Sequence, residues 1–158
     1  MAFVLVTRGQ PALTFWRSTM AFDPQGLPVL LRRMDGEGHI QVTATQQKAL
    51  TALRTRAPSR VLNNRNVQDP FTNQNMSGYG LTTQEGGLPI IVNGQLIGAI
   101  GVGGIPPAER NATYGEEMCA RDALAQVIGP QPPLLPPPAG GVRNGGGFPQ
   151  RAPAGGAQ

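Results

Sequence analysis

The sequence predicts an α+β domain in which helices pack on an antiparallel β-sheet. Apolar segments of strand length form two pairs, and a short turn joins the members of each pair. A segment with apolar residues at helical spacing follows each pair, so the order is ββ-α-loop-ββ-α. Because strands joined by short turns pair antiparallel, this order indicates one antiparallel sheet covered by helices.

The first predicted hairpin spans residues 13–34. Residues 13–22 are rich in β-forming side chains, and residues 27–34 form the returning strand. Between them, Asp23-Pro24-Gln25-Gly26 has the composition of a type I turn, with proline second and glycine last.

The first predicted helix covers residues 41–57. Val42, Ala49, Leu50 and Leu53 recur at helical spacing, and Pro58 marks the end because proline disfavours helical geometry in the preceding residue. Residues 59–81 are polar and rich in asparagine without a sustained period. We predict a long loop there, with one short helix at residues 60–66.

The second hairpin is the clearest element of the sequence. Two apolar runs, residues 88–92 and 95–102, flank Asn93-Gly94, the strongest short hairpin signal. Their nearly continuous apolar character predicts that both faces of these strands are covered. Glycines at 98, 101, 103 and 104 leave a strand on which a ligand or another backbone can lie closely. Residues 116–128 then form an amphipathic helix with two glutamates in its first turn.

The 158 residues suffice for one ordinary domain, which we place at residues 13–128 after an irregular N-terminus at residues 1–12. Residues 129–158 contain eight glycines and eight prolines. Such a segment has too little apolar surface to offset its ordering entropy, so we predict a disordered tail.

Composition argues against several classes of protein. The net charge is +4, but the arginines are scattered and aromatic residues make up only 5%, so nucleic acid is not an expected partner. The apolar run near the N-terminus has four residues, too short for a secretion signal or a membrane span. We therefore expect a soluble, cytoplasmic protein that does not bind membranes.

Two nucleotide-binding motifs are also excluded. The glycines at 98–104 do not form a dinucleotide fingerprint, because Pro106 takes the place of the third glycine and no helix follows directly. A phosphate-binding loop lacks its lysine, since Lys48 is the only lysine of the chain.

Three groups of residues together resemble the GlcG/HbpS family, which includes the C-terminal domain of PduO-type proteins. The first group lies in the first hairpin, the second in the first helix, and the third in the second hairpin. They are Asp23-x-x-Gly26 with Arg33-Met34-Asp35-Gly36; Gln47-Lys48-Ala49 with Thr51-Ala52 and Pro58-Ser59; and Gly86-Gly87-Leu88-Pro89-Ile90 with Ile97-Gly98-Ala99-Ile100-Gly101-Val102-Gly103-Gly104.

The resemblance implies a profilin-like fold, assembly into homo-oligomers, and binding of haem or a related tetrapyrrole. It also implies a role in haem sensing, storage or processing. We expect the long N-terminal helix of the family to be shortened or missing here, because few residues precede residue 13. The chain has no Cys-x-x-Cys-His motif, so haem would be bound non-covalently.

From the resemblance we expect a flat ring to lie against the glycine-rich strand. The cofactor-binding glycines in this picture are Gly86, Gly87, Gly101 and Gly103. Arg33 or another arginine would pair with a propionate.

The iron ligand would come from His39, the only histidine, or from an oxygen donor such as Thr82 or Thr83. Two nitrogen ligands would then require a second subunit.

Two other functions remain open. The chain could be an enzyme, or an enzyme subunit, that acts on a small carboxylated metabolite, with Lys48, Arg33 and Asp35 as candidate groups. Without the resemblance, the pattern of Arg33 and Asp35 predicts only a local ion pair. Alternatively it is a structural assembly module whose segment Pro130–Pro138 binds partners in polyproline form. The leading hypothesis, haem binding, assigns no catalytic residue.

Overall fold

The computed structural model describes residues 18–62, 70–105, 110 and 115–133. Within them the chain forms four strands and three helices, which confirms the predicted α+β class. The predicted irregular N-terminus, the shortened N-terminal helix and residues 134–158 of the tail lie outside the described residues. The elements are β1 Ser18–Phe22, β2 Pro28–Arg33, α1 His39–Thr55, α2 Pro70–Gly78, β3 Gly87–Val92, β4 Gln95–Gly103 and α3 Glu116–Ile128.

The strands form one sheet in the order β2-β1-β4-β3, and every neighbouring pair is antiparallel. Both predicted hairpins are confirmed. In the first turn, Asp23 Oδ1 accepts hydrogen bonds from the N–H groups of Gln25 (3.0 Å) and Leu27 (2.9 Å). In the second, Asn93 and Gly94 both have positive φ, as a two-residue hairpin turn requires.

The helices differ from the prediction in two places. Helix α1 begins at His39, two residues before the predicted start, and ends at Thr55. The predicted loop over residues 59–81 is wrong at Pro70–Gly78, which form α2. Of the short helix predicted at residues 60–66, Val61 and Leu62 are helical, and residues 63–66 lie outside the described residues. Most of the described side chains of α2 are exposed, so no apolar stripe marked it. Its proline start and glycine end were the available signals.

The sheet has a core on each face. On one face, α1 packs on β1 and β4 through Met20, Phe22, Ala49, Ala52, Leu53 and Ala99. On the other, α3 packs on β3 and β4 through Leu88, Ile90, Ile100, Val102, Ala120 and Leu124. The expectation that the second hairpin is covered on both faces is confirmed for most of β4, where residues 98–103 are buried.

The glycines of the sheet allow α1 to lie unusually close. A Cβ atom on Gly101 would overlap the carbonyl oxygen of Thr45, and one on Gly87 would overlap the carbonyl oxygen of Lys48. A Cβ on Gly103 would meet the hydroxyl of Thr45. The surface expected to hold a flat ring is therefore covered by α1, and the glycines accommodate another backbone.

No helix in the described part of the chain is both long and apolar enough to cross a membrane.

Candidate functional site

The connection between β2 and α1 brings several candidate residues to one surface. A turn closes where the Glu37 N–H donates to the Met34 carbonyl at 3.2 Å, and Gly36 takes a positive φ within it. Arg33, the last residue of β2, donates from Nη1 to the Glu37 carbonyl at 3.5 Å. The turn thus fixes the start of α1 beside the end of β2.

This β2–α1 surface, formed by Arg33, Met34, His39 and Ile40, combines charge with exposed apolar area. His39 is exposed at the first position of α1, and Ile40 and Met34 keep 77% and 44% of their area accessible. No side chain caps the N-terminus of α1 and no acid occupies its first turn. Its first N–H groups therefore favour an anion.

Directly behind this surface lies a buried carboxylate. Glu37 is 4% exposed, and its Oε1 atom has no hydrogen-bond partner. Burial raises the pKa of Glu37 and the charge of Glu116 acts in the same direction, whereas Lys48 and Arg33 oppose the rise. A buried carboxylate with a free acceptor atom is unusual and marks the interior side of the site.

An ion pair joins the two helices next to Glu37. Lys48 Nζ of α1 lies 2.7 Å from Glu116 Oε2 of α3, and both side chains are almost completely buried. Lys48 also donates to the Val102 carbonyl at 3.4 Å. The other oxygen of Glu116 lies 3.1 Å from Arg110 Nη2 in a second ion pair and accepts a hydrogen bond from the Ile105 N–H at 3.2 Å.

Gly86 makes room for this pair. Its φ of +111° is one that other residues rarely adopt, and a Cβ there would overlap the Val102 carbonyl oxygen and press on the side chain of Glu116. Gly86 and Gly87 therefore serve the packing around Lys48 and Glu116 in this structure.

The two sets of expected iron ligands lie at different places. The Thr82 N–H donates to the Thr51 hydroxyl at 2.9 Å, and the Thr82 hydroxyl accepts from the Gln84 N–H at 3.2 Å. Thr51 is twelve residues along α1 from His39, which corresponds to about 18 Å at 1.5 Å per residue. Thr82 and the adjoining Thr83 thus lie near the opposite end of α1 from His39.

The groups suggested for an enzyme do not converge in the described structure. Lys48 is engaged with Glu116 and 3% exposed, whereas Asp35 is exposed in the turn. Arg33 reaches the Glu37 carbonyl, and no ion pair between Arg33 and Asp35 occurs among the described residues. In the same residues no group of three or more His, Cys, Asp or Glu side chains is placed to hold a metal ion.

Sequence reasoning missed the buried charge cluster of Glu37, Lys48, Arg110 and Glu116. One signal was available, because Lys48 lies beside Ala49 and four residues before Ala52 on the apolar side of α1. A lysine on a buried helix face needs a buried partner. The identity of that partner depends on how α3 packs, which the sequence pattern does not give.

Together these features define a class: small α+β domains in which one antiparallel sheet carries a helix on each face. The chain belongs to the HbpS-like family, whose model is described as "Haem degrading protein HbpS-like" and matches residues 17–123. This confirms the family resemblance seen in the sequence. No protein among the curated ones matches the chain.

Comparison with solved structures agrees with this family assignment. A crystal structure of HbpS is 30% identical, covering 72% of this chain and 74% of that one, with a TM-score of 0.58. A double mutant of HbpS from Streptomyces reticuli is 28% identical, covering 72% of each chain, also with a TM-score of 0.58. A complex of PduOC with haem is 21% identical, covers 73% of this chain and 80% of that one, and has a TM-score of 0.59.

Proposed function

We propose that this chain binds haem non-covalently at the β2–α1 surface. The observation that carries the proposal is the position of His39, the only histidine of the chain, exposed at the start of α1 beside the exposed side chains of Met34 and Ile40. Family membership supports it, because the family is described by its action on haem.

The residues present fit such a group. The imidazole of His39 would bind the iron, and the apolar side chains beside it would contact the ring. Arg33 and the uncapped N-terminus of α1 both favour a propionate carboxylate. Haem, when bound, supplies an iron centre whose reactivity is set by its axial ligand and surroundings.

Each residue of the β2–α1 surface would then have a separate role in holding the haem. His39 holds the iron side of the ligand, while Met34 and Ile40 cover apolar area and exclude water from it. Arg33 orients the ring through one propionate, and its hydrogen bond to the Glu37 carbonyl keeps the turn in place. Gly87, Gly101 and Gly103 take no part, because α1 covers them.

The test is a titration of the purified full chain with haemin, followed by the Soret band. We expect a shifted band that is lost or moved in His39→Ala, and weaker binding in Ile40→Ser. Val127→Ser, an exposed apolar residue on α3, is the matched control and should bind as the wild type does. A spectrum equal to that of free haemin, or one unchanged in His39→Ala, would overturn the proposal.

The family description also suggests a more specific role for this surface than haem binding, namely the degradation of haem. Adding a reductant to the complex in air separates the two roles. Progressive loss of the Soret band in the wild type, absent in His39→Ala, indicates degradation, whereas a stable band indicates binding or storage. The proposal also includes assembly of several copies, since each chain offers one histidine and a second nitrogen ligand must come from another copy.

A further inference from the structure

The two edge strands of the sheet, β3 and β2, differ in the hydrogen bonds made by their outward-facing backbone groups. At the β3 edge, the side-chain amide of Gln131 pairs with the backbone of Ile91: its Oε1 accepts from the Ile91 N–H and its Nε2 donates to the Ile91 carbonyl, both at 3.2 Å. At the β2 edge, no backbone hydrogen bond from residues 28–33 to a segment other than β1 occurs within the described residues. Such an edge is a template for another strand.

The β2 edge also carries exposed apolar side chains. Val29 and Leu27 are each 63% exposed and Leu31 is 53% exposed. Leu31 lies opposite Met20, a residue of the core below α1, so Leu31 lies on the α1 side of the sheet. Val29 has no partner on β1, because the register of β1 and β2 shifts between Ala21 and Phe22. Edge strands of monomeric proteins usually carry protecting charges along their length, whereas here both arginines stand at one end.

We propose that β2 pairs antiparallel with β2 of a second copy of this chain, about a two-fold axis at Leu30. In a symmetric antiparallel pair the axis passes between two identical residues. With Leu30 there, Val29 of each copy lies opposite Leu31 of the other, so the exposed apolar residues cover one another. An axis at Leu31 would instead place Arg33 opposite Val29 and Arg32 opposite Leu30.

The charges agree with the same register. The arginines of the two copies lie at opposite ends of the pair, away from each other. Arg32 and Arg33 of one copy lie beside the β1–β2 turn of the partner subunit, in which the Asp23 carboxylate accepts from the Leu27 N–H. Each end therefore brings a cationic side chain next to an acidic turn, which favours this arrangement over its alternatives.

The arrangement would also bear on the β2–α1 surface. Because Arg33 and Met34 follow the paired segment, the exposed Leu27 of the partner subunit adds apolar area beside them. This inference deepens the assembly part of the proposed function and rests on that part alone, so the result of the haemin titration leaves it unaffected.

Disulfide trapping of the full chain tests the register. The only native cysteine, Cys119, is first replaced by serine. In this variant, Leu30→Cys should form a covalent dimer on mild oxidation. Directly opposed residues of antiparallel strands have Cα atoms about 4.5–5.5 Å apart, which is within the range of a disulfide. Leu31→Cys alone should not, since its partner is residue 29. The double variant Val29→Cys/Leu31→Cys should cross-link again. Cross-linking of Leu31→Cys in place of Leu30→Cys would overturn the register.

Sedimentation of the protein without haem tests the surface independently. Leu31→Arg should weaken self-association by about tenfold or more, whereas Ile97→Arg, at an exposed apolar position of β4, should not. A wild-type protein that stays monomeric across the dilution series overturns both assembly and this interface. A protein that assembles equally well with Leu31→Arg, and fails to cross-link through Leu30→Cys, retains the proposed assembly but overturns this interface.

Discussion

Lys48 and Glu116 form an ion pair of 2.7 Å that links α1 to α3, and the two side chains are only 3% and 2% exposed. Lys48 comes from the helix on one face of the sheet and Glu116 from the first residue of the helix on the other. Gly87 lies against the backbone of Lys48 and Gly86 against the side chain of Glu116, so both leave the space that the two residues need. The pair therefore fixes the two layers relative to each other.

Removing one partner should be costly. Among the described residues, Lys48→Met leaves the buried carboxylate of Glu116 with the ion pair to Arg110 and the Ile105 N–H, and we expect a loss of about 3 kcal/mol in the free energy of unfolding. The exposed pair of Arg121 and Asp122 provides the control, since Arg121→Met should cost less than about 1 kcal/mol. Urea unfolding measures both.

The same pair allows a double-mutant cycle. Lys48→Met combined with Glu116→Gln removes both charges, so its loss should be smaller than the sum of the two single losses. Additive losses, or a Lys48→Met as mild as Arg121→Met, would contradict a coupled buried pair.

The close approach of α1 to the sheet predicts that Gly101 does not tolerate a methyl group. Gly101→Ala places Cβ against the Thr45 carbonyl oxygen and the Ala49 side chain, so we expect a loss of about 1–3 kcal/mol from overpacking. Gly78→Ala, where no atom lies within 4 Å of the added Cβ, should change stability little. Equal effects of the two substitutions in thermal or urea unfolding would refute this account.

The raised pKa of Glu117 leads us to expect a specific pH dependence of the stability of the fold. Burial raises the pKa of its carboxyl, and the hydrogen bond and charge of Arg60 only partly oppose this. The folded state therefore holds the proton more tightly than the unfolded state. The contribution of Glu117 is most favourable below its ordinary pKa of 4.5 and is lost as pH rises through the folded value.

Glu117→Gln, which cannot titrate, exposes this contribution. The stability of the wild type relative to the variant should increase as pH falls from neutral towards 4.5. Denaturant unfolding at several pH values measures the difference, and Asp122→Asn gives the effect of removing an exposed carboxylate. A difference that shrinks as pH falls would mean that the ion pair with Arg60 outweighs burial.

Ser59 joins the segment after α1 to the start of β3. Its hydroxyl donates to the Gln84 carbonyl at 2.6 Å and accepts from the Gly87 N–H at 3.0 Å, and the side chain is fully buried. Ser59→Ala leaves a buried N–H and a carbonyl without this partner, so we expect a loss of about 1–3 kcal/mol. Ser77→Ala, at an exposed position of α2, should be close to neutral; comparable losses at the two sites would contradict the assignment.

Most of the fold could be predicted from local patterns. Asn93-Gly94 between two apolar runs specified the β3–β4 hairpin, and the spacing of apolar residues specified α1 and α3. Helix α2 was not predicted, because most of its described side chains are exposed and form no apolar stripe. The exposed position of His39, which carries the proposed haem site, depends on where α1 begins, and helix ends are weakly marked when no side chain caps them.

The sequence by itself determined the family, the pairing of strands within each hairpin and the buried faces of α1 and α3, because these depend on neighbouring residues and on period. Only the tertiary structure decided what the glycines do. The same Gly87, Gly101 and Gly103 suit either a flat ligand or a close helix, and the choice depends on the backbone of α1 at Thr45 and Lys48. Likewise, the partners of Lys48 and Glu37 come from segments far apart in the chain, so they are set by packing across the sheet.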